Sequence, residues 1–124
     1  MNRRKFILSF AGALFMLHSS GKNSWANKAE VKIELPEGAV KGTEIPVRVT
    51  VIHNANSYFH HVEWVWIKFN ENEIGRWEFT ASNRPEGETF TREIKYRPEG
   101  EGEIKAKASC NVHGSAGEVS VKIL

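Results

Sequence analysis

Short runs of alternating apolar and polar residues are the feature of this chain that most restricts its fold. Residues 31–35 alternate apolar and charged side chains, and residues 46–52 repeat the alternation after two intervening turns. No long stretch after the N-terminal segment keeps a helical period. About seven short strands with turn residues every 8–12 positions are typical of an immunoglobulin-like antiparallel sandwich. The sequence therefore predicts one all-β domain.

Aromatic side chains are expected to fill much of the core, because a domain this short has few large aliphatic side chains to bury. The run 61–69 also alternates, and its period of two predicts that Val62, Trp64, Trp66 and Lys68 share one face of a strand. The aromatic residues expected in the core are Trp64, Trp66, Trp77, Phe79 and Phe90.

Residues 1–26 are predicted to be a cleavable signal peptide. Two arginines and a lysine at positions 3–5 precede an apolar run over residues 6–17, and a small-x-small site closes the segment at Ala26. The apolar run is shorter than the roughly 20 residues of a bilayer-spanning helix. The paired arginines resemble the twin-arginine export signal, which carries folded proteins. Cleavage would leave a periplasmic domain over residues 27–124 with no stable membrane insertion. The alternative is an amphipathic or membrane-anchoring N-terminal helix.

The distribution of charge argues against a nucleic-acid partner. The chain has 17 basic and 15 acidic residues and a formal net charge of +2. The basic excess lies in residues 1–26, which contain no acidic residue, so residues 27–124 carry a net negative charge. A nucleic-acid-binding domain concentrates positive charge in its folded part. We therefore expect no nucleic acid among the partners.

The single cysteine, Cys110, cannot form an intrachain disulfide, and its surroundings favour a metal site. It begins a Cys-x-x-His motif that ends at His113 and is followed by Gly114, and such a turn lets both side chains reach one ion. His53 and His60 flank a loop between two predicted strands. Thiolate and imidazole donors favour iron, copper or zinc over calcium or magnesium.

Three sequence blocks resemble the catalytic domain of the superoxide reductases, the desulfoferrodoxin and neelaredoxin family. They are residues 60–65 (His-His-Val-Glu-Trp-Val), 75–80 (Gly-Arg-Trp-Glu-Phe-Thr) and 110–114 (Cys-Asn-Val-His-Gly), in the family's order. The resemblance covers residues 29–124 and implies a mononuclear non-haem iron, Fe(2+)/Fe(3+). It also implies that superoxide is reduced to hydrogen peroxide with an electron from an external donor, such as a rubredoxin-like or cytochrome-type protein.

The resemblance further implies a set of iron ligands. Family members place four histidines around the iron and a cysteine thiolate on its axis, and they leave the remaining position open. Four of the family's five protein ligands match residues of this sequence by their motifs. His61 is the residue that could substitute for the fifth. The matching residues are His53, His60, Cys110 and His113.

One family ligand has no match in this chain. The family's first histidine falls where this sequence has Ala29, so the resemblance implies a site that is one ligand short. Lys28 matches the family's neighbouring lysine and is the candidate catalytic residue, since a cation beside the open position would attract an anionic substrate. The α-amino group that cleavage would create at Asn27 is a further candidate donor.

Two other functions stay open. Histidines and a Cys-x-x-His motif on a β-sandwich also suit a periplasmic copper electron carrier, although residues 27–124 contain no methionine for the usual weak axial ligand. A non-catalytic binding module with a buried cysteine is the second alternative, because a fold alone does not define a function. The oligomeric state also stays open, a homo-oligomer included.

Overall fold

Two four-stranded sheets make up the computed structural model, which describes residues 15–19, 28–54 and 56–124. The strands are β1 (Phe15–Ser19), β2 (Glu30–Pro36), β3 (Ile45–Ile52), β4 (Val62–Phe69), β5 (Asn72–Glu78), β6 (Thr89–Tyr96), β7 (Gly102–Cys110) and β8 (Val119–Ile123). The first sheet has the order β1-β2-β3-β6 and the second β5-β4-β7-β8. All six strand pairings are antiparallel. The predicted all-β antiparallel fold is confirmed.

Seven of these strands, β2 to β8, lie in the predicted domain, and β1 lies in the predicted signal peptide. β1 pairs with β2 from Phe15 opposite Pro36 to Ser19 opposite Lys32. Most of residues 1–26 lies outside the described ranges, so the signal peptide and its cleavage stay a prediction. Within the described residues, no helix is long and apolar enough to cross a membrane.

The core between the sheets is mainly aliphatic, and the prediction of an aromatic core is wrong in part. On β3, Ile45, Val47, Val49 and Val51 are buried while the residues between them are only partly covered, as β-branched residues on a half-buried strand should be. Of the expected aromatic residues, Phe90 is in the core, and Trp77 and Phe79 pack against it while partly exposed. Trp66 is also buried, whereas Trp64, which stacks on it, is half-buried and lies outside the core cluster.

A β-bulge in β4 explains a second difference from the sequence prediction. Val62 was expected on the face of Trp64 and Trp66, but it is fully buried together with Val65 and Ile67. The register between β4 and β7 shifts between Val62 and Trp64. An extra residue at this point reverses which side chains face inwards. Val62 therefore lies inside the sandwich, with its Cα paired to that of Cys110.

The inward faces of three strands meet at one end of the sandwich. The buried series of β3 continues to His53, and that of β7 ends at Cys110. The inward series of β2 extends back to the fully buried Ala29, one residue before the strand. Since Glu30 pairs with Ile52, one further step in the register places Ala29 opposite His53. The fold thus brings a histidine, a cysteine and an alanine to the same end.

Candidate metal centre

His53, His60 and Cys110 offer ligand atoms that all lie within 4.8 Å of one another. His53 and Cys110 come from opposite sheets and are 1% and 2% exposed, whereas His60 is half-buried on the loop between β3 and β4. The rings of His53 and His60 meet edge to face with their centroids 4.8 Å apart. Two donors bound to one ion at about 2.0–2.3 Å lie at most about 4.6 Å apart, so the separations in this group are close to those of a shared ion.

His113 lies beside this group as a fourth donor. Its Nδ1 is 3.2 Å from Nε2 of His60, and the two ring centroids are 4.9 Å apart. Two nitrogens at this separation, each about 2.1 Å from a common ion, subtend about 100° at it, close to the angle between neighbouring ligands. The sequence-predicted ligands His53, His60, Cys110 and His113 are therefore brought together.

The turn from Cys110 to Gly114 holds the sulfur in place. The N–H of Cys110 donates to the carbonyl of Gly114 at 2.9 Å, and the N–H of Gly114 donates back at 3.0 Å. Gly114 has φ 81°, a left-handed conformation that glycine adopts without steric cost. The N–H groups of Val112 and His113 point at Cys110 Sγ from 3.3 and 3.4 Å. Such bonds stabilise a thiolate and tune the potential of a metal bound to it.

Asn56 supports His53 and was not singled out by the sequence. Its Oδ1 accepts a hydrogen bond from the Val62 N–H at 2.8 Å and lies 3.3 Å from His53 Nδ1. Its Nδ2 donates to the carbonyl of Gly87 at 2.7 Å. A proton held on His53 Nδ1 by this oxygen leaves Nε2 as the metal-binding atom. The only signal in the sequence is an asparagine in the loop after the histidine, which is too common to identify the contact.

His61 lies outside the group of ligand atoms. It is buried, and its Nδ1 is 3.1 Å from the carbonyl of Ser57. Its N–H donates to Asn111 Oδ1 at 2.9 Å, and its carbonyl accepts the N–H of Asn111 at 3.0 Å. Asn111 Nδ2 also donates to the carbonyl of Phe59 at 3.2 Å. These contacts fasten the histidine loop to the cysteine turn, and the role of His61 as a substitute ligand stays a prediction.

Ala29 lies against the turn that carries His113. Its N–H donates to the carbonyl of Gly114 at 3.2 Å, and its carbonyl accepts the N–H of Ala116 at 2.8 Å. A methyl group therefore occupies the place where the resemblance implies a histidine. Lys28, the candidate catalytic residue, precedes it in the chain and is exposed next to this turn.

Similarity to known proteins agrees with this geometry. The family model described as Desulfoferrodoxin matches residues 22–116, which is more than half of the chain and includes every candidate ligand. The chain belongs to the desulfoferrodoxin family. No curated protein shows significant sequence similarity to it.

Solved structures with the desulfoferrodoxin fold of this chain include several superoxide reductases. A single-residue variant of superoxide reductase (neelaredoxin) from Ignicoccus hospitalis is 26% identical, with a TM-score of 0.62 over 79% of this chain and 81% of that one. A hypothetical protein from Pyrococcus horikoshii is 26% identical, with a TM-score of 0.63 over 82% of this chain and 93% of that one. A superoxide reductase (neelaredoxin) variant from Archaeoglobus fulgidus shares the fold, with a TM-score of 0.62 over 85% of this chain and 97% of that one. Its sequence identity is 20%.

Proposed function

We propose that the chain is a superoxide reductase that binds one non-haem iron through His53, His60, His113 and Cys110. The observation that carries the proposal is the convergence of a buried thiol and two imidazoles within 4.8 Å, from segments far apart in the sequence. This group contains no carboxylate, so its donors suit a transition metal better than calcium or magnesium. Bound iron would supply a one-electron change between its ferrous and ferric states.

The reaction that we propose combines one superoxide, one electron and two protons to give one hydrogen peroxide. Cys110 supplies a thiolate that donates electron density, and the two N–H groups on its sulfur hold it in position. His53 is oriented by Asn56 from within the sandwich. Because His60 is half-buried and His113 exposed, a small anion can approach the centre from the side of these two rings.

Lys28 is proposed to attract superoxide to this opening. It is exposed and directly precedes Ala29, whose backbone is bonded to the turn of His113. An ammonium group at the mouth of the site would raise the local concentration of an anion and stabilise charge on the peroxide product. We expect Lys28→Gln to slow the reaction with superoxide and to weaken its dependence on ionic strength. Lys32→Gln on β2 is the matched control and should change neither.

An external electron donor is proposed to reduce the iron after each turnover. Phe59 is 80% exposed, Tyr58 58% and Val112 56%, and they lie on the loop and the turn that carry the ligands. Exposed apolar side chains grouped in this way are typical of a contact surface for another protein. A rubredoxin-like or cytochrome-type donor would bind here, and Phe59→Ser should raise the KM for such a donor while leaving direct oxidation by superoxide unchanged.

We place the working protein in the periplasm, exported by the twin-arginine route. The support is the sequence of residues 1–26, with Arg3 and Arg4 before the apolar run and a small-x-small site before Asn27. Cleavage after Ala26 would also remove β1 from the edge of the first sheet. Cell fractionation should find the protein in the periplasm, and exchanging both arginines for lysine should leave the precursor in the cytoplasm.

A copper electron carrier is the second candidate function, because two histidines and a cysteine also form the trigonal set of blue-copper sites. His53, His60 and Cys110 are such a set. The fourth donor, His113, and membership of the desulfoferrodoxin family favour iron instead.

Metal analysis and turnover stoichiometry together test the proposal. The iron-loaded protein with a reduced donor should form one hydrogen peroxide for each superoxide consumed, whereas dismutation forms one for every two. The oxidised protein should show a thiolate-to-iron absorption band that Cys110→Ser abolishes. An intense blue copper band would support the second candidate, and a colourless, metal-free protein would support a non-catalytic binding module.

A further inference from the structure

Imidazoles surround the candidate centre on three sides, and Ala29 lies on the fourth. His60 is the middle ring, with the centroids of His53 and His113 4.8 and 4.9 Å away. The β2–β3 register ends with Glu30 opposite Ile52, and extending it by one residue would put Ala29 opposite His53. Ala29 is also hydrogen-bonded to Gly114, next to His113. Together these contacts put Ala29 on the side of the centre across from His60. Its side chain is a buried methyl group that can donate no electron pair.

Few other groups in the chain could fill this fourth side. Of the five histidines, His61 faces the carbonyl of Ser57, and His18 lies in the segment predicted to be cleaved. Residues 1–14, 20–27 and 55 contain no histidine, cysteine, aspartate or glutamate. Unless the α-amino group created by cleavage at Asn27 binds, four protein donors would leave at least two positions open on an octahedral ion. Open positions are what non-haem iron sites use for exogenous ligands.

The two open positions are neighbours. Cys110 is buried and its sulfur is capped by the N–H groups of Val112 and His113, so the sulfur lies on the inner side of the imidazoles. The side of the imidazoles away from the sulfur is open to solvent, since His60 is half-buried and His113 exposed. An ion held by the four donors would meet solvent on this side and the Ala29 methyl group on the side next to it. Its two remaining positions would then be neighbours.

We propose that the iron form of this site binds small bidentate oxygen ligands, of the hydroxamate or α-hydroxycarboxylate class, across the solvent-facing position and the Ala29 side. The inference rests on the proposed function, since it requires iron at the site. A ligand held by one oxygen presents its second oxygen at a high effective concentration, so the second bond forms readily. A chelating ligand consequently binds more tightly than a single donor of the same kind.

Two probes of nearly equal size test the inference on the oxidised, iron-loaded protein. Acetohydroxamate has two oxygen donors, and its O-methyl derivative cannot form the same chelate. Titration followed in the visible spectrum should give a dissociation constant about 100-fold lower for acetohydroxamate. The thiolate-to-iron band should persist in the complex, and desalting should restore the original spectrum. Equal affinities for the two probes, or removal of the iron by acetohydroxamate, would overturn the inference.

A substitution tests where the second donor binds. Ala29→His should close the fourth side and reduce acetohydroxamate affinity to about that of the O-methyl derivative, while the affinity for azide, which needs one position, should change less than about threefold. Ser120→His, on the exposed side of β8, is the control for an added histidine and should alter neither affinity. Unchanged acetohydroxamate binding in folded, iron-loaded Ala29→His contradicts the inference.

The probe comparison needs no variant, so it decides the question even where Ala29→His does not fold. Its outcomes also separate the two proposals. A thiolate-to-iron band without preferential chelation refutes only the bidentate ligand. Absence of that band from the iron-treated protein refutes the proposed function and the inference that rests on it.

Discussion

Replacing Asn56 by alanine should loosen the loop that carries the histidine ligands. The Asn56 side chain accepts the Val62 N–H at 2.8 Å, donates to the Gly87 carbonyl at 2.7 Å and faces His53 Nδ1 at 3.3 Å. It therefore joins the ligand loop to the start of β4 and to the segment before β6. Alanine removes all three contacts and fills none of the space.

The expected cost follows from the burial of the groups left behind. Val62 is fully buried, and an unsatisfied buried N–H costs about 1–3 kcal/mol. Gly87 is partly exposed, so water can replace Asn56 as the partner of its carbonyl. Losing this hydrogen bond should therefore cost only the net value of a hydrogen bond, about 0.5–1.5 kcal/mol. Together these give a loss of about 1.5–4.5 kcal/mol in the free energy of unfolding. Loss of the contact to His53 should also weaken metal binding by about 10–100-fold.

Denaturant unfolding of the metal-free protein measures the first effect, and competition with a chelator measures the second. Asn54→Ala is the matched control, because Asn54 is exposed on the same loop, and it should change stability by less than about 0.5 kcal/mol. Asn56→Asp keeps an acceptor for Val62 and His53, so it should retain metal better than Asn56→Ala. The reasoning is refuted if Asn56→Ala is as stable as Asn54→Ala and binds iron equally well.

Three further predictions concern packing, pH and the thiolate. Gly102→Ala should destabilise the fold by about 1–3 kcal/mol in thermal unfolding, because its Cβ would lie 2.6 Å from a ring carbon of Phe69, whereas Gly100→Ala has open space and should have little effect. The hydrogen bonds from Arg92 hold the pKa of Glu86 below its ordinary value of 4.5. The Glu86 carboxylate therefore contributes its full stabilisation at pH values above the ordinary pKa. This contribution is lost as the pH falls through the lowered pKa of the folded state. Glu86→Gln should reduce the acid-dependent loss of stability by a small but measurable amount, up to about 1 kcal/mol, and an unchanged pH profile contradicts the assignment. Cys110→Ser should lower iron affinity in a chelator competition, because an alcohol is a poorer donor than a thiolate, and unchanged affinity would show that the sulfur is not a ligand.

The fold and the convergence of the candidate ligands at one end of it could be predicted from the sequence, because the strand patterns are local and the ligand motifs resemble those of a known family. The alternation in residues 46–52 continues to His53, and the same period of two ends β7 at Cys110. His53 and Cys110 both face the space between the two sheets. Because their strands reach the same end of the sandwich, the fold brings the two residues together there. The Cys-x-x-His-Gly spacing in turn specifies a tight turn, and Gly114 has the positive φ that such a turn needs.

The remaining features depend on contacts between segments and could not be read from a local pattern. The bulge that turns Val62 inwards depends on how β4 pairs with β7, and periodicity within one strand does not reveal it. The Trp64 and Trp66 rings stack on each other, and Arg76 contacts the first while Lys68 contacts the second. A period of two within β4 does not reveal these contacts. The partners of Asn56 are likewise contributed by two different parts of the chain.

X-ray absorption at the iron edge of the oxidised protein tests the central claim most directly. The account predicts one sulfur scatterer at about 2.3 Å and nitrogen or oxygen scatterers at about 2.1 Å, with the sulfur lost in Cys110→Ser. A shell of nitrogen and oxygen alone in the unsubstituted protein would contradict it, since Cys110 would then not share an ion with the imidazoles of His53 and His60.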